Sequence, residues 1–369
     1  MNNIVTYAEE KLETFDAEPF NRVDSLILSW FSYIHLPGKI PEVWDWQGVR
    51  LAELFQAEHF AEMFGTLWDP ESSRRLFTAM AASPRFRDAR VMGYIEQVDP
   101  KQEKQFAAVS FQLDSGLCYV TFRGTDSTLV GWKEDFNMAF QYPVPAQEEA
   151  ARYLEQAADH CEGTLRLGGH SKGGNLAVYA AANSGESLQK RIAQVYSHDG
   201  PGFLGSVLQS REFQAAAPKI DKTLPQSSLV GMLLEQQENF YIVKSDKFSI
   251  WQHDPFSWEV EGDDFCFLDA LTPDAKYLDR TLNRWISSLT RAERERFVDS
   301  LYALAEMAHI DTLAQLRTEW QESVSAILHA ASQLDSDTKD FLFETVRQLV
   351  ALGIKNFPEM LAAKENSGG

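Results

Sequence analysis

The segment Leu167-Gly168-Gly169-His170-Ser171-Lys172-Gly173-Gly174-Asn175 contains G-x-S-x-G as Gly169, Ser171 and Gly173. A strand-like run, Thr164 to Leu167, precedes it, and an Ala-rich helical run to Asn183 follows. That setting is the one a nucleophile elbow requires. The chain turns sharply, the serine adopts a strained conformation, and the small residues two before and two after it let strand and helix approach. The expected chemistry is attack by the Ser171 hydroxyl on an electrophilic carbonyl. The backbone N–H of Lys172 then faces the developing oxyanion, aided by the helix N-terminus. His170 reads as part of the packing of the elbow. The spacing is not that of a phosphate loop of the G-x-x-x-x-G-K-[ST] type.

Such a serine needs a base. Among eight histidines, His253 lies after Ser171 in chain order. It sits in a loop beyond the strand-like run Asn239 to Lys244, which favours it. His35, His59, His160, His309 and His329 fall in helical segments, and His198 stands beside a strand end.

A second signal is Tyr119-Val120-Thr121-Phe122-Arg123-Gly124-Thr125-Asp126, followed by Trp132 and Asp135. After the elbow come Asp199-Gly200-Pro201-Gly202-Phe203 and His253-Asp254-Pro255. This ordered set resembles the fungal-type (class 3) lipases of the α/β-hydrolase superfamily. Within them it resembles a bacterial branch of lipase-like proteins, over roughly residues 90 to 260. The resemblance implies that Thr125 supplies the second half of an oxyanion hole, through its N–H and its hydroxyl. Trp132 and Asp135 are read as packing and capping residues. The acid is read as Asp199, with Asp246 as the alternative. Asp199 ends the strand after the elbow helix and opens the D-G-P-G-F motif. Asp246 ends the next strand, where class 3 lipases carry theirs.

The elements that must hold these residues are legible as changes of texture. Val23 to Phe31, Val49 to Phe64 and Glu71 to Ala82 carry helical spacing, with a turn at Pro37-Gly38 and Pro41. Val91 to Val98, Phe106 to Leu113 and Leu117 to Phe122 read as strands, the last two joined at Asp114-Ser115-Gly116. Ala146 to Cys161 reads as a helix and Ile192 to Ser197 as a further strand. This alternation predicts an α/β fold, a mainly parallel but mixed sheet flanked by helices. Thr272-Pro273 starts a helical region, and Thr290 with Glu293 forms a capping box. Two more helices are expected, Thr312 to Ser332 and Ser336 to Leu352, the latter stopped by Gly353, with a frayed tail from Lys364. The expected organisation is a hydrolase domain over 1–270, with 1–85 its helical part and 86–270 its sheet core, then a helical region over 271–369.

Composition bounds the function. The chain has 369 residues, 34 Lys+Arg against 54 Asp+Glu and a net charge of −20. An acidic balance disfavours nucleic acid and anionic membranes as partners. Three cysteines without C-x-x-C spacing argue against a disulfide framework or a cysteine zinc site. Asp263-Asp264 reads as a solvated face, and no metal or cofactor is expected. The start of the chain lacks a signal-peptide pattern, and no apolar run has the length of a membrane span, so a cytoplasmic location is expected. The aromatic residues Phe20, Trp30, Phe31, Tyr33, Trp44 and Trp46 read as core, with an acyl pocket as the alternative. The function expected is a serine hydrolase of carboxylic esters, with a small-molecule ester or lipid as substrate. The alternatives are a non-catalytic hydrolase-fold protein that binds a partner through its helices, and a thioesterase or peptidase using the same residues.

Overall fold

A computed structural model describes residues 2–114, 116–126, 128–234, 239–310 and 320–367. The chain divides into two compact units. The first comprises residues 1–98, 106–124 and 145–271; the second comprises 99–105, 125–144 and 272–369.

The first unit opens with α1 (Ile4–Glu10) and α2 (Arg22–Phe31). Asn21 caps α2, accepting from the N–H groups of Val23 and Asp24 while Asp24 reaches back to the cap. Every residue of α2 from Val23 to Phe31 is buried, so this helix is a core element. The expected helix over Val49 to Phe64 is not continuous. Its first residues form β1 (Val49–Arg50), 3-10 turns follow, and only α3 (Phe60–Phe64) is α-helical. Leu51 and Leu54 are buried from the turns, so the apolar spacing marks a buried side without specifying one helix. α4 (Pro70–Ala82) starts at the cap Asp69.

The sheet runs in order through β1, β2 (Arg90–Asp99), β3 (Lys104–Gln112), β4 (Leu117–Phe122), β5 (Thr164–His170), β6 (Ile192–His198), β7 (Ile220–Pro225), β8 (Tyr241–Val243) and β11 (Phe267–Leu268). β4 to β8 pair in parallel, while the β1–β2, β3–β4 and β8–β11 pairs are antiparallel. A small hairpin, β9 (Val260–Glu261) with β10 (Asp264–Phe265), precedes the last strand. β7 has no counterpart among the strands read from the sequence, because its residues alternate Asp221, Lys222 and Thr223 with few apolar side chains.

α5 (Leu129–Asn137) belongs to the second unit; α6 (Pro145–His160) and α7 (Lys172–Asn183) belong to the first. α7 is buried from Lys172 to Ala182, as its Ala-rich sequence requires. Cys118 on β4 and Cys161 beyond α6 form a disulfide, with Cα atoms 5.8 Å apart. This corrects the reading of the cysteines. Pairing depends on proximity in the fold, which their spacing of 43 residues does not reveal. Asp263 and Asp264 are ion-paired with Lys11 and Arg22, both at 2.7 Å. Among the described residues no helix is long and apolar enough to cross a membrane.

The second unit holds three helices with clear caps or partners: Pro273–Ser288, Arg291–Met307 and Ser336–Ser367. The Thr290–Glu293 capping box is present. Gly353 does not stop the last helix, which runs to Ser367. The Gly353 carbonyl accepts the Tyr277 hydroxyl at 2.9 Å, and Trp285 Nε1 donates to the Thr345 carbonyl at 3.0 Å. Packing of this kind outweighs the modest helix penalty of glycine. Of the expected helix Thr312 to Ser332, the part over 312–319 lies outside the described residues. The helix Trp320–Gln333 covers the remainder.

Candidate active site

β5 delivers the elbow. Ser171 has φ +59° and ψ −134°, an outlying backbone conformation for a residue with a side chain. Two backbone bonds hold it there: Ser171 N–H donates to the His198 carbonyl and Gly174 N–H to the Ser171 carbonyl, both at 2.9 Å. The glycines are needed for contact. A Cβ on Gly169 would overlap the backbone of Gly173, and one on Gly173 would overlap the Phe122 carbonyl. Gly124 likewise passes directly beneath Tyr33, with its absent Cβ 3.0 Å from Ser171 Cβ. The Lys172 side chain is buried.

Asp199 follows β6 with φ +49°, a conformation that Asp tolerates better than most residues. Its carboxylate is completely buried and is divided between two sets of donors. Oδ1 accepts Ser228 Oγ at 2.5 Å and Gly231 N–H at 3.1 Å. Oδ2 accepts His253 Nδ1–H at 2.6 Å. A carboxylate accepts only, so the His253 proton sits on Nδ1 in the neutral ring and Nε2 is left basic. Asp246 is exposed and does not join this group. Ser171 Oγ makes no hydrogen bond among the described residues. Such bonds are often long before substrate binds.

His253 ends a short 3-10 turn, Ser249–His253. Asp254 caps the next turn through Phe256 N–H at 3.0 Å and pairs with Lys247 at 2.5 Å. The buried Trp258 ring donates to the Gln252 carbonyl at 2.8 Å. The H-D-P motif thus places His253 directly before its own loop fastening.

The role of His170 was missed in the sequence. Its ring lies 4.5 Å from that of His253, centroid to centroid, and its Nε2 donates to the His253 carbonyl at 2.8 Å. Because a carbonyl only accepts, Nε2 carries the proton and Nδ1 faces the Tyr33 hydroxyl at 3.2 Å. Burial, reinforced by His253, holds the His170 imidazole well below its usual pKa and hence neutral. Tyr33 in turn stacks on Trp30 at 4.7 Å. Of the N-terminal aromatics, Phe20, Trp30 and Phe31 are core, and Trp44 is exposed against Tyr94. The neighbouring His198 is a different case. It is buried between Ser25 Oγ and Thr223 Oγ1, and burial, aided by Arg22, lowers its pKa to about 3.

Thr125 follows Gly124 in the chain and is the first residue of its segment of the second unit. Its hydroxyl donates to the Asp135 carboxylate. That proton is therefore committed to Asp135. Trp132 packs on Phe136 within the same unit, at 5.8 Å between rings.

The arrangement is that of an α/β-hydrolase: a largely parallel sheet with a serine on a strained strand-to-helix turn and a carboxylate–imidazole pair beyond later strands. Several solved structures are distantly similar. A fungal lipase in complex with an inhibitor shares 16% identity, with a TM-score of 0.37, over 59% of this chain and 75% of its own. The native propeptide complex of Rhizomucor miehei lipase shares 15%, with a TM-score of 0.34, over 67% and 78%. M37 lipase shares 13%, with a TM-score of 0.33, over 56% and 68%. At these scores the likeness lends this chain no activity. No curated protein matches it. Residues 80–303 match the family described as Mbeg1-like. That span is more than half of the chain and includes Ser171, Asp199 and His253, so the protein belongs to the lipase-like Mbeg1-like family.

Proposed function

We propose that this protein hydrolyses carboxylic esters through an acyl-enzyme on Ser171. The observation that carries this reading is the 2.6 Å bond from His253 Nδ1 to the buried Asp199, with His253 ring-to-ring against His170, the residue beside the strained serine. In the proposed reaction Ser171 Oγ attacks the ester carbonyl carbon and His253 Nε2 takes its proton. Asp199 holds the tautomer and stabilises the imidazolium. The N–H of Lys172 receives the negative charge of the tetrahedral intermediate. The imidazolium returns the proton to the departing alkoxide. Water, activated by the same imidazole, then releases the acid and restores Ser171.

A second reading, a hydrolase fold without turnover, has one observation in its favour: Ser171 Oγ is not hydrogen-bonded to His253. Fold alone does not decide between them. A fluorophosphonate probe does. Intact mass is expected to show one adduct on the wild type and none on Ser171→Ala, followed by turnover on an ester panel. A folded wild type without an adduct overturns the ester reading and leaves the non-catalytic one.

A further inference from the structure

Lys222 lies on β7, among the parallel strands of the sheet, and is almost wholly buried, at 5% exposure. A lysine in such a place costs free energy unless its charge has work or a partner. Side chains alternate along β7. Asp221 bonds Arg22 at 2.8 Å and Thr223 bonds His198 at 2.8 Å, both on one face. Lys222 points to the other face. There its Nζ donates to the Gly231 carbonyl at 3.0 Å. The N–H of that same glycine donates to Asp199 Oδ1. Gly231 must be glycine, since a Cβ would overlap Asp199 Oδ1 and Leu224. The loop is also pinned farther on, where Gly202 N–H donates to the Leu233 carbonyl at 2.9 Å.

We infer that Lys222 is a positioning residue for the carboxylate–imidazole pair, holding the Ser228–Gly231 loop on Asp199 Oδ1 and serving as the buried counter-charge of Asp199. The loop donors saturate Oδ1, so only Oδ2 is open and His253 meets it in one geometry. The ammonium offsets part of the field of the buried carboxylate. Asp199 is a charged group that acts on Lys222. Its β6 register partner is Ser197, and its loop neighbours are Ser228 and Gly231, none of which titrates in this range. Burial lowers the ammonium to about 7 while Asp199 opposes the shift. The ammonium charge is therefore held on the acid side of neutrality.

This inference rests on the ester-hydrolase reading for its effect on rate, and the test separates the two. The His253 ring is titrated by NMR in wild type, Lys222→Met and Lys222→Arg, with Ser171 labelling by the fluorophosphonate followed against pH. In Lys222→Met the His253 pKa is expected to rise by about one unit, as for loss of a nearby opposing charge. The acid limb of labelling moves up with it, and the labelling rate on that limb falls by up to about tenfold. Lys222→Arg keeps the wild-type limb. A purely structural lysine would change melting temperature and leave the limb in place, and that result overturns the inference. Ser228→Ala provides the second variant should Lys222→Met not fold. It is expected to shift the His253 Nδ1–H resonance and slow labelling several-fold, and an unmoved resonance again overturns the clamp. If the wild type takes no adduct while the His253 pKa still responds to Lys222→Met, the ester reading fails and the clamp stands.

Discussion

Asp199 and Asp246 separate sharply once their surroundings are compared. Asp199 is buried and spends one oxygen on two loop donors and the other on His253. Asp246 is exposed. Asp199→Asn is therefore expected to lower kcat by about 10⁴, the scale seen when the tautomer-holding acid of a triad is lost. Asp246→Asn is expected to stay within about twofold, as is usual for surface changes. Ester hydrolysis by the two variants checks both statements, and equal losses would reverse the assignment. His198 gives a stability prediction. Burial holds its pKa down at about 3 in the folded protein, against the usual ~6.5 for an imidazole, so the unfolded chain binds the extra proton first. Stability is complete above pH 6.5 and is lost as pH falls toward 3. His198→Gln removes this site, and its melting temperature is expected to decline less steeply over that window than that of the wild type. Ser171 was legible in the sequence because its motif is local. Asp199 was read as the acid with Asp246 as the alternative, since both follow strands, and only the fold brings Asp199 to the imidazole.

At the scale of elements, the junction of β5 and α7 is built on contacts that exclude side chains. Gly173→Ala would push a methyl into the Phe122 carbonyl. An overpacking cost of about 1–3 kcal/mol is expected, with slower labelling of Ser171, measurable by denaturant melts and probe kinetics. Asp254→Ala removes the cap of the turn after His253. A loss of about 1 kcal/mol is expected from the cap alone. Capping signals read well from sequence: Thr290 with Glu293 needed only local chemistry. The segment from Val49 to Phe64 misled because a row of apolar residues can be buried by turns as well as by a helix. Gly353 misled for the converse reason, since tertiary packing carried the helix past it.

For the molecule as a whole, the Cys118–Cys161 bridge closes a span of 43 residues around the β4–α6 segment. By chain entropy such a closure stabilises by about 4 kcal/mol. Dithiothreitol is expected to lower the melting temperature of the wild type and to leave Cys161→Ser unaffected; identical responses would mean that the bridge does not form in solution. The acidic net charge and the largely parallel sheet were both open to inspection in the sequence, the first by counting and the second from alternating strand and helix texture. So was the elbow, because it depends on residues adjacent in the chain. Only the tertiary structure selected Asp199 for His253, set His170 against the His253 carbonyl, drew Lys222 and the Ser228–Gly231 loop around the carboxylate, and joined two distant cysteines. Each of these depends on which side chains from separate strands converge at one place, and that is decided by sheet order and register, which no local pattern encodes.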